Sequence, residues 1–459
     1  MISRRLLLVA LALGLLASST LTHAGKQAVA PAARLADHVI LISIDGFRPA
    51  MYRDPAREGL NLPTLTALRD AGSFAEGVQV SHPSMTYPSH TSMATGVAPA
   101  RHGIVSNTIF DPPTGSPMWY YERSAMKVPA LWDVARAKGL KTAGASWPVT
   151  VGANFDVLFP ESNQAPRDST WLARARAEST PGLVDAVAKE LGGFGENDNR
   201  DAVQRDRFTA AMATHIIRAE RPNLLMIHLM ETDTAQHADG PGSPAAKSAI
   251  EHIDAHIGAI VKVTEEAGIR ARTAFVVSGD HGFSRVHTLI QPNVILRENG
   301  WLTTDDKGRV TEWQVASHAT AIRLRDPKDH ALAARVEQAF VKLAEGRYRG
   351  IFRVVARADL DALGAYPDAA FFIEPAEGYY VSDGVTGGSI LIGTTRRGAH
   401  GFLPTETRMH TGLIAAGAGI RAGVPLPLLR QIDIAPTIAR LLGFDMPDVD
   451  GVPMVGLLR

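Results

Sequence analysis

Three acids, three histidines and one threonine have the types and spacing to do chemistry. Asp280-His281 stand side by side, and Asp233-x-x-x-His237 puts a carboxylate and an imidazole one helical turn apart if that segment is helical. Asp45 and His410 complete a set of six oxygen and nitrogen donors, and Thr86 adds a hydroxyl. A single acid at the end of an apolar run is usually a cap or turn former, so the weight rests on the combination. The chain has no cysteine, which removes thiolate ligands, cysteine nucleophiles and disulfides. Carboxylates with imidazoles then favour zinc, ahead of manganese, magnesium or iron. Six ligands divided three and three would build two neighbouring sites, and two cations roughly 4 Å apart clamp the attacking and leaving oxygens of phosphoryl transfer. Thr86 lies two residues before Pro88, which suits the first turn of a helix running towards Thr95-Gly96. A hydroxyl there lies by a helix N-terminus that favours an anion such as phosphate. The alternative, that Thr86 only caps this helix, stays open.

These residues need a scaffold that gathers them. His38–Ile44 ends at Asp45-Gly46, 224–230 ends at Glu231-Thr232-Asp233, and 273–278 ends at Gly279-Asp280-His281. Each run is short, almost continuously apolar and bounded by turn signals, as expected of buried strands in a largely parallel sheet. Helical patterns fall between them at 63–71, 130–138 and 248–261. The expected fold is therefore α/β, an open, largely parallel sheet with helices on both faces. Such sheets bind ligands beyond the carboxyl ends of their strands, where Asp45, Asp233 and Asp280 fall. A fourth run, 412–417, is preceded by His410 and places it less securely. Between 288 and 395 the pattern changes to a helix near 331–345 and strands near 351–357 and 388–394, which reads as an inserted smaller α+β lobe. The expected organisation is a catalytic domain in two parts, 25–287 and 396–459, around that lobe, with a last helix near 429–442.

Residues 1–24 read as a secretory signal peptide. Arg4-Arg5 precede an apolar run, and Thr22-His23-Ala24 offers small residues at −3 and −1 of a cut. The run is too short for a comfortable membrane span. Export to the periplasm or the exterior is expected, by either the general or the twin-arginine route. Lys+Arg and Asp+Glu both number 47 in 459 residues, so the net charge is zero and a general nucleic-acid binder is disfavoured.

The residues together resemble a family. Asp45-Gly46-Phe47-Arg48, Thr86-Tyr87-Pro88-Ser89-His90, Thr95-Gly96, 101–107 ending in Asn107, Asp111-Pro112, Glu231-x-Asp233-x-x-x-His237, Asp280-His281-Gly282 and His410 occur in the order seen in nucleotide pyrophosphatase/phosphodiesterases of the alkaline phosphatase superfamily. The resemblance runs from about residue 38 to the end and implies an alkaline-phosphatase-like sheet. It implies two Zn2+ ions, one on Asp233, His237 and His410 and the other on Asp45, Asp280 and His281, with Thr86 bridging as nucleophile. Asn107 and the Thr86 backbone N–H would contact a non-bridging phosphate oxygen. The implied reaction is hydrolysis of a small phosphate diester, by the family's habit a nucleotide, through a phosphothreonine. Many relatives have Thr-Phe-Pro-Asn-His where this chain has Thr-Tyr-Pro-Ser-His; Tyr87, and also Trp119, are candidates to stack on a base or aryl group. A phosphomonoesterase or a phosphonate hydrolase of the same superfamily, and more remotely a non-catalytic metal-binding protein, are the competing readings. His90 and His102 are expected to orient loops, His228 to be a satisfied core residue. His252, His256, His287, His318 and His400 have no usable partner spacing.

Overall fold

The computed structural model describes residues 33–112, 118–161, 171–193 and 201–459. The signal-peptide reading of 1–24 lies outside them. Eight strands make the main sheet: β1 His38–Ile44, β2 Ser73–Ala75, β3 Thr142–Ala145, β4 Val157–Phe159, β5 Leu224–Leu229, β6 Thr273–Gly279, β7 Leu413–Gly417 and β8 Val424–Leu426. Their order is β8-β2-β7-β6-β1-β5-β3-β4. Strand β7 runs antiparallel to β6 and β2, and the other pairings are parallel. Every residue of β1, β5 and β6 is buried, which is why these segments read as unbroken apolar runs rather than alternating ones.

The sheet is covered on both faces because successive side chains alternate between them. Ile40, Ile42 and Ile44 of β1 join Ile227 of β5 and Ile250, Ile253, Ile257 and Ile260 of a long helix in one cluster. Val39 and Leu41 join Met226, Met93 and Ile438 in the cluster on the other face. Five helices carry or brace the candidate residues: α1 Pro63–Ala71, α2 Thr86–Thr95, α3 Glu231–Asp239, α4 Pro244–Glu266 and α5 Ile434–Leu441. Helix α4 begins earlier than its apolar spacing predicts, because the Ser243 side chain accepts from Ala246 N–H and Pro244 occupies the first turn.

The segment read as an inserted lobe carries its own four-stranded antiparallel sheet. The strands Val315–His318, Ala321–Leu324, Phe371–Pro375 and Phe352–Ala356 lie in that spatial order. Helix His330–Glu345 buries Leu332, Val336 and Phe340 in the same apolar cluster as Phe352 and Phe371. A strand at Ser284–Ile290 leaves the end of β6 and pairs in turn with Gly378–Val381, Leu391–Gly393 and Gly398–Ala399. That last pairing returns the chain to the carboxyl edge of the main sheet. Among the described residues, no helix is long and apolar enough to cross a membrane.

Candidate active site

Strand order alone brings three of the acids together. Strand β1 lies between β5 and β6, with Ile44 in register with both Leu229 and Gly279. Asp45, the start of α3 and Asp280 therefore leave the sheet side by side. Helix α3 carries Asp233 and His237 on one face, and His237 Nε2 comes within 3.2 Å of Asp233 Oδ1. Gly46 makes the turn after Asp45 with φ of 72°, and its backbone N–H donates to Asp280 Oδ1 at 2.9 Å. His281 Nε2 lies 3.2 Å from Asp280 Oδ2 and 3.4 Å from Asp45 Oδ1. Thr86 stands in the first turn of α2, with its hydroxyl 3.4 Å from His281 Nε2.

His410 does not join this group. Strand β7 is antiparallel, so its approach end does reach the correct edge, but the chain there turns into a cleft of about 470 Å³ with Arg48, Arg53, Glu76 and Leu428. The third imidazole is His400. Pairing of Ala399 with Ser284 sets it beside the loop after β6, where its ring stacks on His281 at 3.6 Å and 12°. Its Nε2 is 3.7 Å from Asp233 Oδ1. No fixed sequence spacing ties His400 to Asp233, because a strand pairing across more than a hundred residues places it. The usable signals were its flanking glycines, Gly398 and Gly401, and its position at the return to the sheet.

The donors are turned towards one another in a way that calls for cations. The Nδ1 atoms of His237, His281 and His400 face the carbonyl oxygens of Gly398, Gly282 and Ser84 at 2.8, 3.2 and 3.0 Å. With those protons committed, each Nε2 presents a lone pair to carboxylate oxygens. Asp45 Oδ1, Asp233 Oδ1 and Asp280 Oδ2 are buried and, among the described residues, have no hydrogen-bond partner. Lone pairs facing lone pairs in a buried pocket are satisfied by shared cations, so the residues present fit a metal centre. Among the described residues, three donor groups have ligand atoms within 4.8 Å of one another: Asp45, Asp280, His281; Asp233, His281, His400; and His90, His228, Asp280.

Electrostatics agree with this reading. Burial, followed by repulsion from Asp233, holds Asp45 well above the usual carboxylate range, and burial with repulsion from Asp45 does the same to Asp280. Burial also acts to raise Asp233, but the neighbouring imidazoles, His237 first and then His400 and His281, hold it below its ordinary value. Burial and then the nearby His237 push His400 down to about 3, so it stays neutral, as a ligand must be.

Around this centre sit further residues that brace it. His228, expected as a satisfied core residue, bridges Asp45 Oδ2 and Glu161 Oε2 at 3.1 Å each. Its pKa is raised despite burial, chiefly by Glu161. His90 Nδ1 faces the Thr86 carbonyl at 2.8 Å, as an orienting residue should. Asn107 Oδ1 accepts from Tyr87 N–H at 2.9 Å, which leaves its NH2 as a donor next to the start of α2. Tyr87 offers no face to a ligand: it is fully buried, and its hydroxyl donates to Glu161 at 2.8 Å. Its ring props Trp119, which is 41% exposed, at a centroid distance of 5.2 Å.

The family model described as type I phosphodiesterase / nucleotide pyrophosphatase matches residues 39–402. This chain belongs to that family. It is 23% identical over 259 residues to ectonucleotide pyrophosphatase/phosphodiesterase family member 1 of Homo sapiens, covering 54% of this chain and 23% of that protein. An uncharacterized pyrophosphatase/phosphodiesterase of Schizosaccharomyces pombe is 27% identical over 248 residues, covering 54% of this chain and 44% of its own length. The chain thus spans less than half of the curated relatives it matches. Murine ectonucleotide pyrophosphatase/phosphodiesterase 5 superposes with a TM-score of 0.65 at 19% identity, covering 92% of this chain and all of that one, which shows a shared fold. An inactive threonine-to-alanine form of the same murine protein, in complex with AMP, gives a TM-score of 0.65 as well.

Proposed function

We propose that this chain is an exported hydrolase of phosphate diesters that works through a phosphothreonine on Thr86 beside two divalent cations, with zinc the expected metal. The observation that carries the reading is the convergence of unpartnered buried carboxylate oxygens and imidazole Nε2 atoms, with one hydroxyl at the edge of that group. Asp45, Asp280 and His281 would hold one cation, and Asp233, His237 and His400 the other. When bound, these ions would favour the alkoxide form of Thr86, offset charge on the departing oxygen and lower the pKa of water.

The chain's own groups do the remaining work. Thr86 Oγ1 attacks phosphorus, a Thr86–O–P bond forms, and the opposite P–O bond breaks with its electron pair leaving on the departing oxygen. The first turn of α2 and the Asn107 NH2 supply donors to a non-bridging oxygen. Water then cleaves the phosphothreonine from the side that the departing group has vacated, which frees Thr86. Membership of the family and the AMP held by the inactive murine relative favour a nucleotide substrate, with the exposed Trp119 as the surface for its base.

Turnover of bis-p-nitrophenyl phosphate against p-nitrophenyl phosphate, with and without chelator, tests the substrate class. The diester should be favoured, and chelation should abolish turnover; monoester preference would overturn the diester reading. Thr86→Ala should lose turnover by roughly three orders of magnitude or more while keeping its metal content. Comparable turnover in that variant removes Thr86 as nucleophile.

A further inference from the structure

Behind the centre lies a cleft of about 470 Å³ that the reaction does not use. Neither Thr86 nor any of the candidate metal-binding residues lines it. Phe283 is the wall between the two. Its buried ring borders the cleft and packs edge-on against His237 at 4.9 Å and His281 at 5.7 Å. Two segments distant in the chain meet there: the turn after β1 supplies Arg48 and Arg53, and the loop before β7 supplies Arg408.

The three guanidinium groups are only partly engaged. Arg48 Nε donates to Gln236 Oε1 at 3.0 Å, and Arg53 NH1 donates to the Glu76 carbonyl at 3.4 Å. Among the described residues, neither arginine forms an ion pair with a carboxylate. Burial holds the Arg48 guanidinium below its ordinary value, with Glu58 acting the other way and Arg285 adding to the effect. Arg408 lies over the Phe402 ring at 4.9 Å, and its buried Nε has no hydrogen-bond partner among the described residues. Its NH1 and NH2 stand 3.7 and 3.8 Å from oxygens of Glu377 and Glu406, too far for hydrogen bonds. Those two carboxylates line a separate cleft beside the small sheet, which Arg408 also borders. Among the residues that line the cleft behind Phe283, Glu76 alone carries negative charge, so three cations face one acid.

We propose that this cleft is a binding site for a phosphate group, separate from the metal centre. Cations gathered in a cleft focus their field on an anion, and the planar forks of arginine match phosphate oxygens two at a time. Arg53 and Arg408 bring the free N–H donors, and Arg48 brings a half-buried charge that an anion would offset. Leu428, 46% exposed, adds an apolar patch to the same lining. Free phosphate and the phosphate end of an organic monoester share this chemistry. The site depends neither on Thr86 as nucleophile nor on which ions fill the centre.

The test is equilibrium dialysis of the metal-loaded protein against radiolabelled inorganic phosphate, at fixed ionic strength in chloride. Wild type should show a binding component whose Kd rises about tenfold or more in Arg53→Met and in Arg408→Met, and Arg53→Lys should recover part of it. Phosphate held at the metal centre survives both substitutions, which separates the two places. Arg53 is exposed, so its variant keeps the test open where loss of Arg408 unsettles the loop. Arg440→Met, which removes an exposed arginine paired with Asp445 outside the cleft, serves as the control for general charge. Binding unchanged in both methionine variants, an Arg53→Lys variant as weak as Arg53→Met, or an equal loss in Arg440→Met would each overturn the proposal. Phenylphosphonate, which has no P–O–C bond to cleave, then identifies the source. Tighter binding than inorganic phosphate assigns the cleft to an organic phosphate lying on Leu428, and equal binding assigns it to free phosphate; either supports the site.

Discussion

Asp233 and His400 show how one residue's role depends on which neighbour claims its lone pairs. The His400 ring is locked by Ser84 O on one nitrogen and stacked on His281, so its other nitrogen can only face the buried Asp233 oxygen. His410, in contrast, lines an open cleft beside Arg48 and Arg53. Replacing each by alanine separates the two. His400→Ala should lower the bound metal by about one ion per chain and cut diester turnover by roughly a hundredfold or more. His410→Ala should keep both metal and turnover near wild type, as metal analysis on the purified variants would read directly. Loss of metal from His410→Ala with retention in His400→Ala would reverse the assignment.

At the scale of elements, the joints between strands and loops hold the candidate metal-binding residues in place. Gly46 is one such joint: with φ of 72°, a Cβ there would meet Gln236 Nε2 at 2.6 Å and the Phe283 ring at 2.7 Å. Phe283 packs edge-on against His237 and His281, and Gln236 Nε2 donates to Gly46 O, so any shift is passed to both ends of the centre. Gly46→Ala should cost about 1–3 kcal/mol of stability from the strained backbone and steric clash. Metal affinity should fall with it, as urea titration and calorimetric metal titration would show. Normal stability and affinity would mean the loop yields without disturbing Asp45. The same scale explains what periodicity revealed. Strands β1, β5 and β6 and helix α1 were legible because a buried parallel strand and a glycine-terminated helix write their own local pattern. The antiparallel course of β7 was not legible, since a five-residue apolar run reads alike in either direction.

Across the whole molecule, the small sheet and the loop that carries His400 share a buried acid. Both Glu374 carboxylate oxygens accept from Leu403 N–H, at 3.1 and 3.2 Å, three residues beyond His400. Burial pushes this carboxyl up to about 8, with the Leu403 N–H acting the other way. In the unfolded chain it titrates near 4.3. Between those values the unfolded form gives up a proton that the folded form keeps, so Glu374 subtracts stability as pH rises through the window. Glu374→Gln keeps an acceptor without the charge. It should therefore melt above wild type at about pH 9, with a smaller gap at about pH 5, by differential scanning calorimetry. A gap independent of pH would place the burden elsewhere.

The sequence by itself determined the sheet-and-helix class, the acids at its carboxyl edge, the Asp233–His237 pair, the hydroxyl at a helix start and the family that these resemble, because each is written within a short stretch of chain. Only the tertiary structure decided that His400 and not His410 faces Asp233, that Tyr87 is buried on Glu161, and that His228 links Asp45 to Glu161. Those three depend on contacts between segments tens to hundreds of residues apart, set by strand pairing and burial, and no local spacing records them.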